Sequence, residues 1–202
     1  MTIPELISKC DMFIATQEKL ATCEPFVCNE DDLTDFFAND ATKYQEKLLG
    51  KTYIFCLKEN PKVIVAAFTL SNDSIRITNK LKDEDKETFL HNTELNSKGL
   101  RRYPSVLIGR LGVNKEFENQ GYGSAVISFI KMWFLSENKT GCRFIIVDAY
   151  NNERTLHFYQ KNDFEFLIED EVNEAKYMDI GRNNLPLRTR LMFFDLLQVK
   201  TK

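Results

Sequence analysis

The run Leu107-Ile-Gly-Arg-Leu-Gly-Val-Asn-Lys-Glu-Phe-Glu-Asn-Gln-Gly-Tyr-Gly-Ser-Ala125 reads as a strand, a glycine-bearing loop and the opening of a helix. Gly121 and Gly123 let backbone amides approach a ligand with no Cβ in the way. The amides of a helix start face outward at the positive end of the helix dipole, so the segment is suited to cradling phosphate. Two common phosphate motifs do not fit. Val126 stands where a dinucleotide-binding Gly-x-Gly-x-x-Gly needs its third glycine, and no Gly-Lys-Ser/Thr is present.

A second segment, Asn152-Glu-Arg-Thr-Leu-His-Phe-Tyr-Gln-Lys-Asn-Asp-Phe164, follows an apolar run that ends at Asp148. With it, the sequence resembles the GNAT family of acyl-CoA-dependent N-acetyltransferases over about residues 105–168. Gly121 and Gly123 match the family's loop Gln/Arg-x-x-Gly-x-Gly/Ala. Asn152, Phe158, Tyr159, Lys161 and Phe164 match its later signature. The resemblance implies acetyl-CoA as cosubstrate and direct attack by a primary amine in a ternary complex. It also implies cofactor contacts at Leu111, Val113, Asn119, Gly121, Tyr122, Gly123, Ser124 and Asn152. No metal site is read, because Cys23 and Cys28 lie far in sequence from His91 and His157 and the other cysteines are scattered.

The implied chemistry has physical reasons. The pantetheine arm would lie like an added strand along Leu111–Val113. A backbone N–H near Val113 would polarise the thioester carbonyl and stabilise the oxyanion. Tyr159 would protonate the departing thiolate, because a phenol with a pKa of about 10 is protonated at neutral pH. Outside the motif Tyr159 reads as an aromatic packed beside Leu156, and Asn152 as the N-cap of the following helix. For the general base the residues leave Asp73, Glu94, Glu116 and Asp148 open. Lys98, Arg101 and Arg102 form a basic cluster, which reads either as a solvated surface or as a seat for an anionic acceptor.

Three positions depart from the family pattern. Glu118 replaces Gln or Arg and brings a negative charge near the expected pyrophosphate. Thr155 replaces a small Ala, and Asp163 replaces the Gly before Phe164.

The elements expected to position these groups are a helix over 31–49, strands over 52–58 and 62–70, and a charged surface excursion over 79–98 with Phe89 and Leu90 inward. After them come a strand over 105–113 and a helix over 124–136 with Val126, Ile130, Trp133 and Phe134 buried. A strand over 143–148, a helix over 153–161 and strands over 164–168 and 189–197 complete the order. The helix over 31–49 takes Leu33, Phe36, Phe37, Ala41, Tyr44 and Leu48 as its apolar stripe, with Gly50 as its stop. This order fits a mixed α/β fold, a mostly antiparallel sheet flanked by helices, as one domain over 1–202. The apolar last strand reads as an edge through which a homodimer would form.

Composition narrows the class further. Hydrophobic residues at 43% are too many for a disordered chain. Lys+Arg 27 against Asp+Glu 30 gives a net charge of −3, so no global positive field draws the chain to nucleic acid or an anionic membrane. Five cysteines without a visible secretory signal read as reduced thiols, hence a cytoplasmic protein. The segment Cys23-Glu-Pro-Phe-Val-Cys28, the helix Leu33–Tyr44 and the strand Pro104–Val113 loosely resemble toxin-type acetyltransferases. That resemblance implies an alternative, in which the acceptor is an aminoacyl-tRNA and a small antitoxin is the partner. A non-catalytic acyl-CoA-binding module is a further alternative, kept open by Glu118.

Overall fold

The computed structural model describes residues 1–90, 100–136 and 141–200. The elements are α1 (Ile3–Lys9), β1 (Cys10–Ile14), α2 (Gln17–Ala21), α3 (Asp31–Asp35), a π-helical stretch (Phe36–Asp40), α4 (Ala41–Glu46), β2 (Lys51–Leu57) and β3 (Ile64–Arg76). Then come α5 (Asp83–Leu90), β4 (Arg102–Val113), α6 (Tyr122–Ser136), β5 (Phe144–Tyr150) and α7 (Glu153–Lys161). The chain closes with β6 (Glu165–Phe166), α8 (Glu171–Tyr177), β7 (Thr189–Asp195) and α9 (Leu197–Lys200). The fold is mixed α/β, with seven mostly antiparallel strands flanked by helices. It comprises two compact units, Met1–Asn72 with Ile108–Asn138, and Asp73–Leu107 with Lys139–Lys202.

In the first unit the strand order is β1-β2-β3-β4. The unit opens with a capping box: the Thr2 N–H donates to Glu5 Oε2 at 2.6 Å, and the Glu5 N–H donates to Thr2 Oγ1 at 3.4 Å. Side chains of a strand alternate between faces, and β2 uses both. Ile54 and Cys56 join Phe26, Leu33 and Phe37 in one core. Phe55 and Tyr53 meet α6 on the other face, with Phe129 at 5.3 Å and Trp133 at 5.0 Å between ring centroids. Val126 and Ile130 of α6 are buried as expected, while Trp133 and Phe134 are half-buried.

The expected single helix over 31–49 is broken by the π-helical stretch. Each π turn takes in more residues than an α turn, so the face that follows it rotates off the stripe. Leu33, Phe37 and Ala41 are buried, but Tyr44 is 40% and Leu48 92% exposed. The helix ends at Glu46, before Gly50, and Leu48 takes φ +57°.

In the second unit β7 lies between β5 and β6, antiparallel to both, with Tyr150 opposite Thr189 and Glu165 opposite Phe193. This corrects the reading of the last strand as an edge: β7 pairs along its length with β5 and, at Met192 and Phe193, with β6. Strand β6 is two residues long, and the polar stretch before β7 contains α8. The core here gathers Ile75, Tyr103, Phe144, Ile146, Leu167, Tyr177 and Phe193. The Tyr177 hydroxyl donates to the Arg76 carbonyl at 3.0 Å and accepts from the Arg76 N–H at 3.2 Å, tying α8 to the end of β3. Helix α7 spans the expected residues. Phe89, Leu90, Glu94 and Lys98 lie outside the residues whose side chains are described.

No helix among the described residues is long and apolar enough to cross a membrane.

Candidate active-site elements

The first unit carries the loop and helix start. After β4, the Asn114 N–H donates to the Val65 carbonyl at 2.9 Å and its Nδ2 donates to the Ile64 carbonyl at 3.0 Å, fixing the end of the strand. The Asn114 side chain then accepts from the Glu116 N–H at 3.1 Å and caps a short 3-10 turn, Lys115–Phe117. Asn119 at φ +57° and Gly121 at φ +85° swing the backbone into α6. Asn tolerates the left-handed region, and Gly enters it without cost. A Cβ on Gly121 would also lie 2.7 Å from the Met1 backbone nitrogen.

The first bond of α6 runs from the Ala125 N–H to the Gly121 carbonyl at 3.1 Å. The amides of Tyr122, Gly123 and Ser124 precede it and have no intrahelical acceptor. They offer donors at the positive end of a 15-residue helix. The Tyr122 side chain is buried 5.6 Å from the Phe117 ring, and burial raises its hydroxyl pKa. Only the backbone of Tyr122 is therefore available to a ligand. Leu111 and Val113 are half-buried on β4, while Gly112 between them is fully packed. A Cβ there would lie 3.3 Å from the Phe26 ring and 3.4 Å from Cys28 Sγ.

The second unit carries α7. Asn152 is its N-cap, accepting from the Thr155 N–H at 2.9 Å. Tyr159 is buried between Phe158 and Phe164, with centroids at 5.1 and 5.4 Å. Burial holds its phenol pKa well above the ordinary value, so the hydroxyl stays protonated and able to donate. Asp163 takes φ +61°, which explains why a glycine suits this position and why Asp, a residue tolerant of that region, can replace it.

Of the carboxylates left open as bases, Asp73, Glu116 and Asp148 are exposed. Asp73 Oδ1 accepts from the Ser74 N–H, and Asp148 stands on β5 opposite Leu191. Arg101 and Arg102 are exposed as well. Three of the thiols are poor nucleophile candidates: burial pushes Cys10 and Cys142 up to about 11 and Cys56 up to about 12. Among the described residues no three His, Cys, Asp or Glu side chains gather as a metal site.

Glu118 was expected near the phosphates; its carboxylate accepts a hydrogen bond from the Asn29 side-chain amide. Nothing in the sequence paired these residues, which are 89 positions apart.

Residues 85–166 match the family model of the acetyltransferase (GNAT) domain. No curated protein matches the chain. Among solved structures, a Tyr→Phe variant of KacT aligns over 96% of this chain and 98% of its own, at 15% identity and a TM-score of 0.69. AtaT complexed with acetyl-methionyl-tRNAfMet aligns over 95% and 98%, at 17% identity and a TM-score of 0.69. AtaTR bound with acetyl-CoA aligns over 96% and 98%, at 18% identity and a TM-score of 0.64. Likeness at this identity establishes a shared fold.

Proposed function

We propose that this chain, which carries an acetyltransferase (GNAT) domain, transfers the acetyl group of acetyl-CoA to a primary amine by direct attack in a ternary complex. The observation that carries the reading is the left-handed turn at Asn119 and Gly121, which leads into α6, whose first three amides have no intrahelical acceptor. In this reading the pyrophosphate sits on the amides of Tyr122, Gly123 and Ser124. Pantetheine runs along the backbone of Leu111–Val113, and an N–H near Val113 polarises the thioester carbonyl. The neutral amine forms the new C–N bond and gives up its extra proton to a base or a water chain, while the C–S electrons leave with CoA. Tyr159, which burial keeps protonated at neutral pH, donates its proton to that thiolate and is reprotonated from water. Asn152 acts through the cap, setting where α7 starts and hence how Tyr159 is presented.

A narrower reading is favoured by one observation: the structural likeness to KacT and AtaT runs over nearly the whole of each chain. On this reading the acceptor amine belongs to an aminoacyl-tRNA, as the acetyl-methionyl-tRNAfMet bound to AtaT suggests, and a small antitoxin is the partner.

Calorimetric titration with acetyl-CoA, CoA and adenosine diphosphate, followed by CoA-thiol release with small amines, peptides and aminoacyl-tRNA, tests both. Thiol release with aminoacyl-tRNA alone supports the narrower reading. Tight acetyl-CoA binding with no release on any amine supports a non-catalytic module instead, and no binding at millimolar ligand refutes the proposal.

A further inference from the structure

Two cysteines and a lysine meet where the end of α2 lies against the turn between β2 and β3. Cys56 stands near the end of β2, fully buried and in register with Ile64 of β3. Leu57 after it donates its N–H to the Val63 carbonyl at 3.1 Å, and the Glu24 N–H donates to the neighbouring carbonyl of Lys62 at 2.8 Å. The chain after α2 is thereby pinned beside the strand end that carries Cys56. Cys23 is half-buried and packs against the same core cluster as Cys56. Its Sγ lies 3.4 Å from the Lys19 carbonyl oxygen and 4.0 Å from that of Pro61. Lys19 Nζ donates to the same Pro61 carbonyl at 3.1 Å. The three side chains act on one another: burial pushes the Cys56 thiol up to about 12, the neighbouring Cys23 adds to the rise, and the Lys19 ammonium opposes it.

We infer that Cys23 and Cys56 form a dithiol modification site, which a peroxide converts into a disulfide joining the chain after α2 to β2. Cys23 reacts first, because Cys56 is closed off from solvent. The Cys23 sulfur attacks one peroxide oxygen: an S–O bond forms, the O–O bond breaks and water leaves with the thiol proton. The sulfur is thereby oxidised to a sulfenic acid and the peroxide is reduced by two electrons. The Cys56 thiol then gives up its proton and attacks that sulfur. The S–S bond forms, the S–O bond breaks, and a second water carries the proton away. The Lys19 ammonium favours the thiolate that Cys56 must become. The new bond encloses α3, the π-helical stretch and α4 in a covalent loop, which restricts the unfolded chain.

The test treats the full chain with a few equivalents of hydrogen peroxide, then maps its thiols and masses by mass spectrometry. The wild-type chain is expected to lose two of its five thiols and the mass of two hydrogens. Digestion should give a cross-linked peptide containing Cys23 and Cys56, and dithiothreitol should restore both thiols. Cys56→Ala is expected to stop at a sulfenic acid on Cys23, trapped by dimedone. If that variant does not fold, Cys23→Ala serves in its place, and its Cys56 is expected to survive the same treatment as a thiol. Oxidation of the wild-type chain should raise its melting temperature by about 5 °C or more. A wild-type chain that keeps all its thiols, a disulfide between another pair, or dimedone on Cys56 overturns the inference. A Cys23–Cys56 disulfide that fails to raise the melting temperature also overturns it, because sulfurs already brought together by the fold bond without distorting it.

Discussion

Glu174 and Arg190 form an ion pair inside the second unit, with Arg190 Nε 2.6 Å from Glu174 Oε2 and the residues 2% and 7% exposed. The remaining groups are also occupied. Glu174 Oε1 accepts from the Leu191 N–H at 2.6 Å, and an Arg190 amine donates to the carbonyls of Ile168 at 3.0 Å and Glu169 at 2.9 Å. The guanidinium lies 4.4 Å over the Phe166 ring. One pair thus joins α8, β7 and the 168–169 turn. Removing one partner of such a pair leaves a buried charge uncompensated. Glu174→Ala is expected to destabilise the protein by about 3–5 kcal/mol in urea unfolding, and a double Glu174→Met, Arg190→Met variant to lose far less.

For Tyr159 the expected result is a split between chemistry and binding. Tyr159→Phe keeps the ring that packs against Phe158 and Phe164, and loses only the hydroxyl. Turnover should fall about a hundredfold or more, with acetyl-CoA affinity unchanged. The raised pKa also fixes the sign of the pH profile: protonated Tyr159 is the active form, and it persists past the ordinary phenol value. Turnover should therefore rise with pH as the acceptor amine loses its proton, with no alkaline fall below about pH 10. An alkaline limb near pH 8 would assign the acid to another group.

Gly121→Ala forces a side chain into a left-handed turn, at about 1–2 kcal/mol, and sets its Cβ against Met1. The loop is expected to shift, weakening acetyl-CoA binding about tenfold or more by calorimetry while the rest of the fold survives. Undiminished affinity would move the phosphate site elsewhere.

Ser105 offers a change in the opposite direction. Its Oγ is buried on β4 without a hydrogen-bond partner among the described residues. An unsatisfied buried hydroxyl costs about 1–3 kcal/mol. Ser105→Ala is expected to raise the melting temperature by about 2–4 °C. A fall would reveal a partner that the hydroxyl uses in solution.

The parts that local rules govern were legible in the sequence. Helix α7 was readable at both ends because Asn152 is a strong N-cap and Lys161 precedes a turn. The turn into α6 was readable because a left-handed turn favours glycine, and Gly121 stands there. The π-helical stretch was not, since no residue type announces a π turn and Tyr44 and Leu48 keep an apolar spacing they do not use. Helix α8 was hidden by polarity, because Glu174 is buried through a partner sixteen residues away rather than by its own character. The pairing of Asn29 with Glu118 is likewise a property of the folded chain alone. Strand β7 looked like an edge because apolarity does not say how many neighbours a strand has.

Each compact unit is assembled from two separated stretches of chain, and this sets an order of events during synthesis. When residue 72 leaves the ribosome, β2 and most of β3 exist, but α6, which covers Phe55 and Tyr53, has not yet been made. At about 5–20 residues per second, several seconds pass before Phe129 and Trp133 arrive. Throughout that interval the nascent chain carries an uncovered aromatic face. A holding chaperone is expected to engage it there, and a transcript truncated before residue 122 should yield aggregate rather than a soluble fragment.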